Sequence, residues 1–253
     1  MNPTLKEFVR RRLPRRIKPG RILAGPLRGK RIVTSWHDYP AALLGRTERP
    51  LLDWFKQNVK VGETWLDIGA HYGYTAIALS KLVGPGGRVF AFEPTLATAG
   101  YLSQTRLINE FQQLQIIPLA LAQPETLTTE RLWVVRGMVD STIVNGDWHE
   151  TIFVARLDWL WPRICNSQQQ IDGIKIDVQG MEIQTLQGME GLLKKYRPKL
   201  VVEVHHGVPR DELIAILEAA GYSPVGVPIE GQELFGAQYL DDRSYAFIAS
   251  APT

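Results

Sequence analysis

The sequence is poor in cysteine, since Cys165 is the only one among 253 residues. A single cysteine excludes an internal disulfide and any zinc site built from cysteines alone. It also fits a reducing, cytoplasmic location, where thiols stay unpaired.

Long apolar runs are missing as well. No stretch approaches the roughly 18–20 apolar residues that a helix needs to cross a bilayer. The basic N-terminus is not followed by an apolar segment, so we expect no secretory signal. A composition of 45% hydrophobic and 22% charged residues is ordinary for a globular protein, and the length suits one large core.

Acidic residues are nearly absent from the first 31 positions, which hold eleven Lys and Arg and one acid, Glu7. The rest of the chain holds 18 basic and 25 acidic residues, so the basicity belongs to an N-terminal arm, assigned to residues 1–20. Such an arm suits nucleic acid, an anionic membrane surface or plain solvation. We favour a solvated lead-in, because Pro14 and Pro19 interrupt it and no aromatic residue stands among its arginines to stack on bases. Weak contact with a membrane surface stays open, and we expect no nucleic acid partner.

The remaining chain, residues 21–253, is expected to form one domain with its core in residues 49–253. A hairpin is predicted at 21–36, and strands then alternate with helices from residue 64. Continuous apolar strands such as VFAF and LVVEV indicate a sheet covered on both faces. We therefore predict an α/β fold with a doubly wound, mostly parallel Rossmann-like sheet of about seven strands. Short β-like segments at about 125–160 predict an antiparallel excursion before the fourth strand.

The stretch WLDIGAHYGYTAIALS (65–80) reads as a buried strand, a glycine turn and a helix. The dinucleotide fingerprint G-x-G-x-x-G is not met, because His71 stands where its second glycine would let the backbone approach a pyrophosphate. The P-loop pattern is also absent. The turn therefore favours a nucleoside without a pyrophosphate, and the following helix start offers free N–H groups to a carboxylate.

The next strand ends in F-E-P, which places Glu93 twenty residues after Gly73. An acid at this point can accept hydrogen bonds from both ribose hydroxyls. Alone, Glu93 could be a solvent-facing strand end. Combined with the glycine turn in one βαβ unit, it indicates a nucleoside site.

LDIGAHYG followed by GPGGRVFAFEP resembles motif I and the acidic second strand of class I S-adenosylmethionine-dependent methyltransferases. IDGIKIDVQGMEIQTLQGM, with KLVVEVHH after it, resembles the FkbM family of these enzymes, as do GPLRG and GRTE nearer the N-terminus. The resemblance runs from about Gly25 to the last strand.

The resemblance implies S-adenosyl-L-methionine as the cofactor. Its methionine part would lie in the turn from Asp67 to Gly73, its ribose on Glu93 and its adenine near Ala120, while Glu48 closes the site from the N-terminal side. The full implied set is Glu48, Asp67, Gly69, Ala70, His71, Gly73, Tyr74, Glu93, Pro94, Ala120, Ser141 and Asp177. The family commonly has Asn where this chain has His71, a difference that leaves the glycine turn intact. It often has Glu where this chain has Gln179, and that difference puts in doubt a catalytic acid at position 179.

Polar residues end the fourth and fifth strands of the alternation, and an alcohol acceptor needs a base to remove its proton. We predict His205 or His206 as that base, with Asp177 and Glu182 orienting the base or the substrate. Strand alternation puts Glu203 and His205 on one side and His206 on the other.

Structural roles compete with these assignments. Glu182 can be a first-turn acid favoured by the helix dipole. Lys175 and Asp177 can form a buried pair within their strand. A few oxygen and nitrogen ligands can hold Mg²⁺ loosely, but no tight cluster such as D-x-D is present and we predict no metal site.

The acceptor pocket is expected in the excursion, which holds four of the seven tryptophans: Trp133, Trp148, Trp159 and Trp161. Core filling is the alternative role for these rings. Asp140, Ser141 and Asp158 stand at segment edges there and can reach the cofactor or the acceptor.

The predicted function is O-methylation of a hydroxyl on a small molecule or sugar, such as a natural product or glycan. Methylation of RNA or protein, guided by the basic arm, is an alternative, but no N-P-P-[YF] stretch follows the fourth strand. A nicotinamide-dependent oxidoreductase is disfavoured by the glycine turn. A non-catalytic nucleoside-binding protein is the remaining alternative.

Overall fold

The computed structural model describes residues 12–133, 149–165, 169–230 and 239–249. Strands and helices alternate through most of this length. In chain order they are β1 (Lys18–Arg21), β2 (Arg31–Thr34), α1 (Pro40–Leu44), α2 (Arg49–Asn58), β3 (Thr64–Ile68), α3 (Tyr74–Val83), β4 (Arg88–Phe92), α4 (Leu96–Ile108), β5 (Leu114–Ile117), β6 (Ala120–Leu121), β7 (Thr128–Trp133), β8 (His149–Ala155), α5 (Leu157–Ile164), β9 (Gly173–Ile176), α6 (Glu182–Gln187), α7 (Glu190–Tyr196), β10 (Lys199–Val204), α8 (Arg210–Ala219), β11 (Val227–Pro228) and β12 (Arg243–Phe247).

The main sheet has seven strands in the order β11-β12-β10-β9-β3-β4-β5. Five strands, β10, β9, β3, β4 and β5, run parallel to one another, and β12 is antiparallel to both β10 and β11. From β3 the chain first builds outward through β4 and β5, and it then returns to build β9 and β10 on the other side. Sheets of this kind bind ligands outside the carboxyl ends of the strands where the order reverses, here β3 and β9.

Helices cover both faces of the sheet, as the continuous apolar strands predicted. All five residues of β3 are buried. Its side chains alternate between two cores: Leu66 and Ile68 pack with helices α5 to α8, and Trp65 packs with α2 to α4. The doubly wound, mostly parallel fold of about seven strands is therefore confirmed.

The apolar stretch LQIIPLAL (114–121), which reads as one strand in the sequence, is divided at Pro118 into two strands that belong to different sheets. Proline has no N–H to donate to a ladder, so β5 ends before it. β6 then pairs in parallel with β8, and β8 pairs antiparallel with β7, in a separate sheet of three strands. The antiparallel excursion is thus present, with a parallel strand that the pattern did not predict.

The predicted N-terminal hairpin is formed by β1 and β2, and it begins at Lys18, three residues earlier than expected. It is fastened to α4, where Asn109 bonds both the N–H and the carbonyl oxygen of Arg31, and Thr105 accepts the Val33 N–H. Two short helices, α1 and α5, were not predicted. Among the described residues, no helix has the length and apolar character needed to span a membrane.

Candidate active site

The glycine turn joins the carboxyl end of β3 to α3. Gly69 has φ +79°, and a Cβ there would lie 1.7 Å from the carbonyl oxygen of Asp177, just after β9. Gly73 is the N-cap of α3 with φ +91°, and its Cβ would lie 2.2 Å from Leu102 Cδ1. At Gly69 the turn therefore packs backbone to backbone against the end of β9, whereas at Gly73 it packs against the Leu102 side chain of α4.

Glu93 is tied directly to this turn. Its Oε2 accepts the His71 N–H at 3.0 Å, and its Oε1 accepts the Thr95 N–H at 3.0 Å and the Thr95 hydroxyl. Glu93 is buried, and burial raises the pKa of its carboxyl group. A carboxylate oxygen has two lone pairs, so Oε2 keeps one acceptor position that is not used by His71.

A buried ion-paired group connects β3 and β9 below the turn. Lys175 Nζ lies 3.0 Å from Asp177 Oδ2 and 3.5 Å from Asp67 Oδ1, while Asp67 Oδ2 accepts the Thr75 hydroxyl at 2.7 Å. Burial opposes the charge on Lys175, but the two carboxylates outweigh it and raise the pKa of the ammonium group. The Lys175–Asp177 contact proposed from the sequence as a structural alternative is therefore present.

His205 lies between polar groups on both sides of its ring. Nδ1 is 2.6 Å from Glu182 Oε1, and Nε2 is 2.8 Å from the amide nitrogen of Gln179. Nε2 also lies 3.5 Å from Asp177 Oδ1 and 3.6 Å from Glu203 Oε1. With Nδ1–H donating to Glu182, the lone pair of Nε2 accepts the Gln179 amide, and the same edge of the ring lies beside Asp177 and Glu203. We call Asp177, Glu203 and His205 the carboxylate–histidine cluster.

The charges of this cluster shift the pKa values of its members. Burial opposes the imidazolium form of His205, but the hydrogen bond to Glu182 and the charge of Asp177 outweigh burial and raise its pKa. Burial, reinforced by the charge of Asp177, raises the pKa of Glu203 to about 8. For Asp177 burial is outweighed by Lys175 and His205, so its pKa is lowered.

Only one of the two candidate bases lies in the cluster. The His206 side chain is 89% exposed, and its Nδ1 is 2.9 Å from Asp241 Oδ2 at the protein surface. Glu182 is buried in the first turn of α6, where its Oε1 accepts the Gly180 N–H as well as contacting His205. The structural and orienting roles considered for Glu182 therefore coincide.

The N-terminal side of the turn is covered by residues that precede the main sheet. The Tyr39 ring lies 5.5 Å from the His71 ring and 6.2 Å from the Tyr74 ring. Burial raises the pKa of Tyr39 above its ordinary value and that of Tyr74 to about 12, and it lowers the pKa of His71 to about 4. Glu48 adopts the left-handed backbone conformation just before α2, and its carboxyl group lies within the electrostatic influence of Lys175 and Asp177. Tyr39 lies in no sequence motif, and only the fold brings it here.

Two buried polar atoms beside the turn have no hydrogen-bond partner in the described part of the chain: Asp67 Oδ1, which has the ion-pair contact of 3.5 Å with Lys175 Nζ, and the Tyr74 hydroxyl. Buried polar atoms are usually satisfied, so their presence fits a polar ligand in the turn. Glu93 adds the acceptor position of Oε2 that His71 does not use. The residues present therefore fit a nucleoside cofactor that carries an amino acid group.

Other predicted residues are placed less centrally. Ala70 is buried beside Gly69, Pro94 follows Glu93, and Ala120 begins β6 in a partly buried position. The Asp158 carboxylate accepts the N–H groups of Gly191 and Leu192 at the start of α7, which is a helix-capping role.

The two tryptophans of the excursion whose side chains are described, Trp159 and Trp161, have different surroundings. Trp161 is buried against Phe90 with ring centroids 4.9 Å apart, which is the core-filling role, while Arg163 covers the ring of Trp159. Asp140, Ser141 and Trp148 lie outside the described residues, as does the side chain of Trp133.

Comparisons with known proteins agree on the fold. Residues 67–224 match the model of the Methyltransferase FkbM domain. A putative rRNA methylase from Clostridium thermocellum superposes with a TM-score of 0.50 at 12% identity, over 80% of this chain and 95% of that chain. The putative methyltransferase yhhF from Escherichia coli superposes with a TM-score of 0.49 at 14% identity, over 93% of this chain and 100% of that chain. An FkbM methyltransferase from Methylobacillus flagellatus KT gives 0.46 at 18% identity, over 77% and 50%.

A search of curated protein sequences finds no match to this chain. Structural likeness at these sequence identities shows a shared fold and does not identify the acceptor. The family model, however, covers more than half of the chain and includes the glycine turn, Glu93 and the cluster. The protein is therefore a member of the FkbM family of methyltransferases, with S-adenosyl-L-methionine as its cofactor.

Proposed function

We propose that this methyltransferase transfers the methyl group to a hydroxyl oxygen of a small molecule or sugar, such as a natural product or glycan. The observation that carries the proposal is the carboxylate–histidine cluster at the carboxyl ends of β9 and β10, beside the glycine turn. A hydroxyl is a poor nucleophile until its proton is removed or its acidity is raised. A buried histidine among carboxylates is suited to that task, whereas an amine acceptor needs it less.

The cofactor supplies the electrophilic methyl group, and the protein supplies binding, alignment and activation of the hydroxyl. In our proposal the turn from Asp67 to Gly73, with Tyr74, holds the methionine part and Glu93 holds the ribose. Alignment of two reactants in such a site is worth about 7–11 kcal/mol. The remaining proposed contacts are with Glu48, Pro94, Ala120, Ser141 and Asp177.

We propose that His205 is the residue that acts on the acceptor hydroxyl and that Glu182 and Asp177 orient its ring. The lone pair on Nε2 can serve the hydroxyl in two ways, as a direct proton acceptor or as the ligand of a cation that makes the hydroxyl acidic. Both roles need the Glu182 contact at Nδ1, which holds the ring in place. The surface position of His206 supports neither role.

We further propose that the basic arm, assigned from the sequence to residues 1–20, is a solvated lead-in as far as the start of β1 at Lys18, and that the chain from there on forms one methyltransferase domain of a cytoplasmic protein. The exposed side chains of Arg12, Arg15, Arg16 and Lys18 leave weak contact with an anionic membrane open. The Clostridium protein is named as a putative rRNA methylase, but its 12% identity carries only the fold, so RNA is not the acceptor we favour.

The proposal is tested by incubating the full chain with S-adenosylmethionine labelled in the methyl group and panels of sugars, polyols, phenols, amines, RNA and protein. We expect an O-methyl ether, identified by mass and NMR. Replacing His205 by Gln should lower turnover about 10²–10⁴-fold, whereas His206→Gln, the matched control, should leave it nearly unchanged. A product methylated on nitrogen or on RNA would contradict the proposal, as would equal losses in the two variants.

A further inference from the structure

We propose that Asp177, Glu203 and His205 bind a divalent cation such as Mg²⁺ or Mn²⁺ at the carboxyl ends of β9 and β10. Only the catalytic use of this cation rests on the proposed function, since its binding follows from the arrangement of the ligands. The sequence alone predicted no metal site, because the three ligands come from two strands rather than from one compact motif.

The spacing of the donor atoms suits a small cation. Each residue offers one ligand atom, and these atoms all lie within 4.8 Å of one another. His205 Nε2 is 3.5 Å from Asp177 Oδ1 and 3.6 Å from Glu203 Oε1. In an octahedral site with bonds of about 2.1 Å, neighbouring ligands stand about 3.0 Å apart and opposite ligands about 4.2 Å apart. Binding would therefore require the side chains to close by less than about 1 Å.

His205 is already oriented as a metal ligand would be. Its Nδ1 contacts Glu182 Oε1 at 2.6 Å, so Nε2 carries the lone pair, which accepts the Gln179 amide on the ring edge beside the two carboxylates. A histidine that binds a metal typically donates its other ring N–H to a carboxylate, which fixes the ring and makes the ligand more basic. Glu182 is buried and is itself held by the Gly180 N–H, so it is a firm support.

Gln179 gives a second, independent observation. Its amide nitrogen lies 2.8 Å from His205 Nε2 and 3.3 Å from Asp177 Oδ1. A hydrogen-bond donor thus occupies the point on which these acceptors converge, and a cation is attracted to the same point. Rotation of the amide by half a turn would present Oε1 there instead, as a fourth ligand of the kind that Mg²⁺ prefers.

The local charge is also unbalanced. Lys175 engages Oδ2 of Asp177 and so leaves Oδ1 to the cluster. The Glu203 carboxylate makes no hydrogen bond to any described residue, although the side chain is only 20% exposed. Glu48 and Asp67 add further carboxyl groups around the ammonium of Lys175, and burial raises the pKa of both. A divalent cation would favour the ionised form of these carboxyl groups, which burial otherwise opposes.

A cation here would supply Lewis acidity to a hydroxyl that coordinates it and would lower the pKa of that hydroxyl. His205 would then hold the cation, and the hydroxyl proton would pass to solvent water instead of to His205. This assignment decides between the two roles of the Nε2 lone pair described above.

The first test needs neither cofactor nor acceptor. Full-length protein freed of metals on a chelating resin is titrated with Mn²⁺, and free Mn²⁺ is followed by electron paramagnetic resonance. We expect one saturable Mn²⁺ per chain, displaced by Mg²⁺. Glu203→Gln should weaken binding at least 10-fold, and Glu182→Gln, which alters only the support of His205, about 10–100-fold. Glu212→Gln changes an exposed acid of α8 outside the cluster and should bind like the unmodified protein.

A second test needs no variant. Substoichiometric Mn²⁺ should broaden the ring NMR signals of His205 before those of His206. Absence of saturable binding, equal affinity of the Glu203→Gln and Glu212→Gln variants, or earlier broadening of His206 would overturn the cation site. Mn²⁺ binding without any hydroxyl methylation would overturn the proposed function and leave the cation site standing, so the two failures are distinguishable.

Discussion

Gly69 is the point at which the glycine turn touches the end of β9, and its replacement by Ala tests that contact. The added Cβ would lie 1.7 Å from the carbonyl oxygen of Asp177, which is a rigid backbone atom. Relief requires the turn and the end of β9 to separate by more than about 1 Å, because non-bonded heavy atoms sit about 3.5–4.0 Å apart. That movement strains the bonds from the Gly69 N–H to Phe92 and from the Asp177 N–H to Ile68, both 3.0 Å long.

The size of the effect follows from a matched control. Gly62 has φ +89°, close to the +79° of Gly69, but nothing lies within 4 Å of its Cβ position. Gly62→Ala should therefore cost only the left-handed backbone strain, about 1–2 kcal/mol. Gly69→Ala adds steric overlap of about 1–3 kcal/mol and weakened hydrogen bonds worth about 1 kcal/mol each. We expect a total loss of about 3–6 kcal/mol.

Thermal unfolding and calorimetric titration with S-adenosylhomocysteine measure the two consequences. For a chain of this size, each kcal/mol lowers Tm by about 2–4 °C, so the melting point of the Gly69 variant should lie well below that of the Gly62 variant. Gly69→Ala should also weaken S-adenosylhomocysteine binding at least 10-fold, whereas Gly62→Ala lies at the other end of β3 and should not. Equal melting points and equal affinities in the two variants would refute the close contact.

Three further predictions concern the same site. Glu93→Ala should weaken S-adenosylhomocysteine binding at least about 10-fold, or 1.4 kcal/mol, while the control Glu110→Ala should not, and neither variant should bind NAD. An unchanged Kd of the Glu93 variant would contradict the ribose role. His71→Asn should keep affinity within about 3-fold, because the bond to Glu93 uses the backbone N–H and Asn tolerates the left-handed φ of +49°; a loss of 10-fold or more in calorimetry would contradict this. In the presence of a chelator, Glu203→Gln should raise Tm more at pH 8.5 than at pH 5. The fold raises the pKa of Glu203 to about 8, so the unmodified protein loses stability as pH rises from the usual pKa of a Glu to about 8, and the variant does not. An equal effect at both pH values would show that Glu203 ionises normally.

The sequence by itself determined the features that depend on near neighbours. The run from Trp65 to Ser80 specifies strand, turn and helix, because strand patterning and the turn geometry are local. Continuous apolar strands alternating with helices were enough to predict a doubly wound sheet and, through it, the edge where ligands bind. Alternation along β10 also separated His205 from His206 correctly, although exposure at the surface could not be read from it.

Long-range packing decided the rest. The apolar stretch 114–121 reads as one strand in the sequence, and only the pairing of β6 with β8 shows that the chain changes sheets at Pro118. Tyr39 reaches the glycine turn, and Asp67 meets Lys175 across more than a hundred residues, with no periodicity to announce either contact.

The carboxylate–histidine cluster depends on tertiary structure most of all. Asp177 and His205 belong to separate strands, and Gln179 and Glu182 come from the loop and helix that follow β9. Local sequence supplied these side chains, but only the parallel register of β9 and β10 places their ends side by side. The distances of a few ångströms that decide between a proton acceptor and a cation ligand arise from that register, because hydrogen bonding between the strands sets which residues meet.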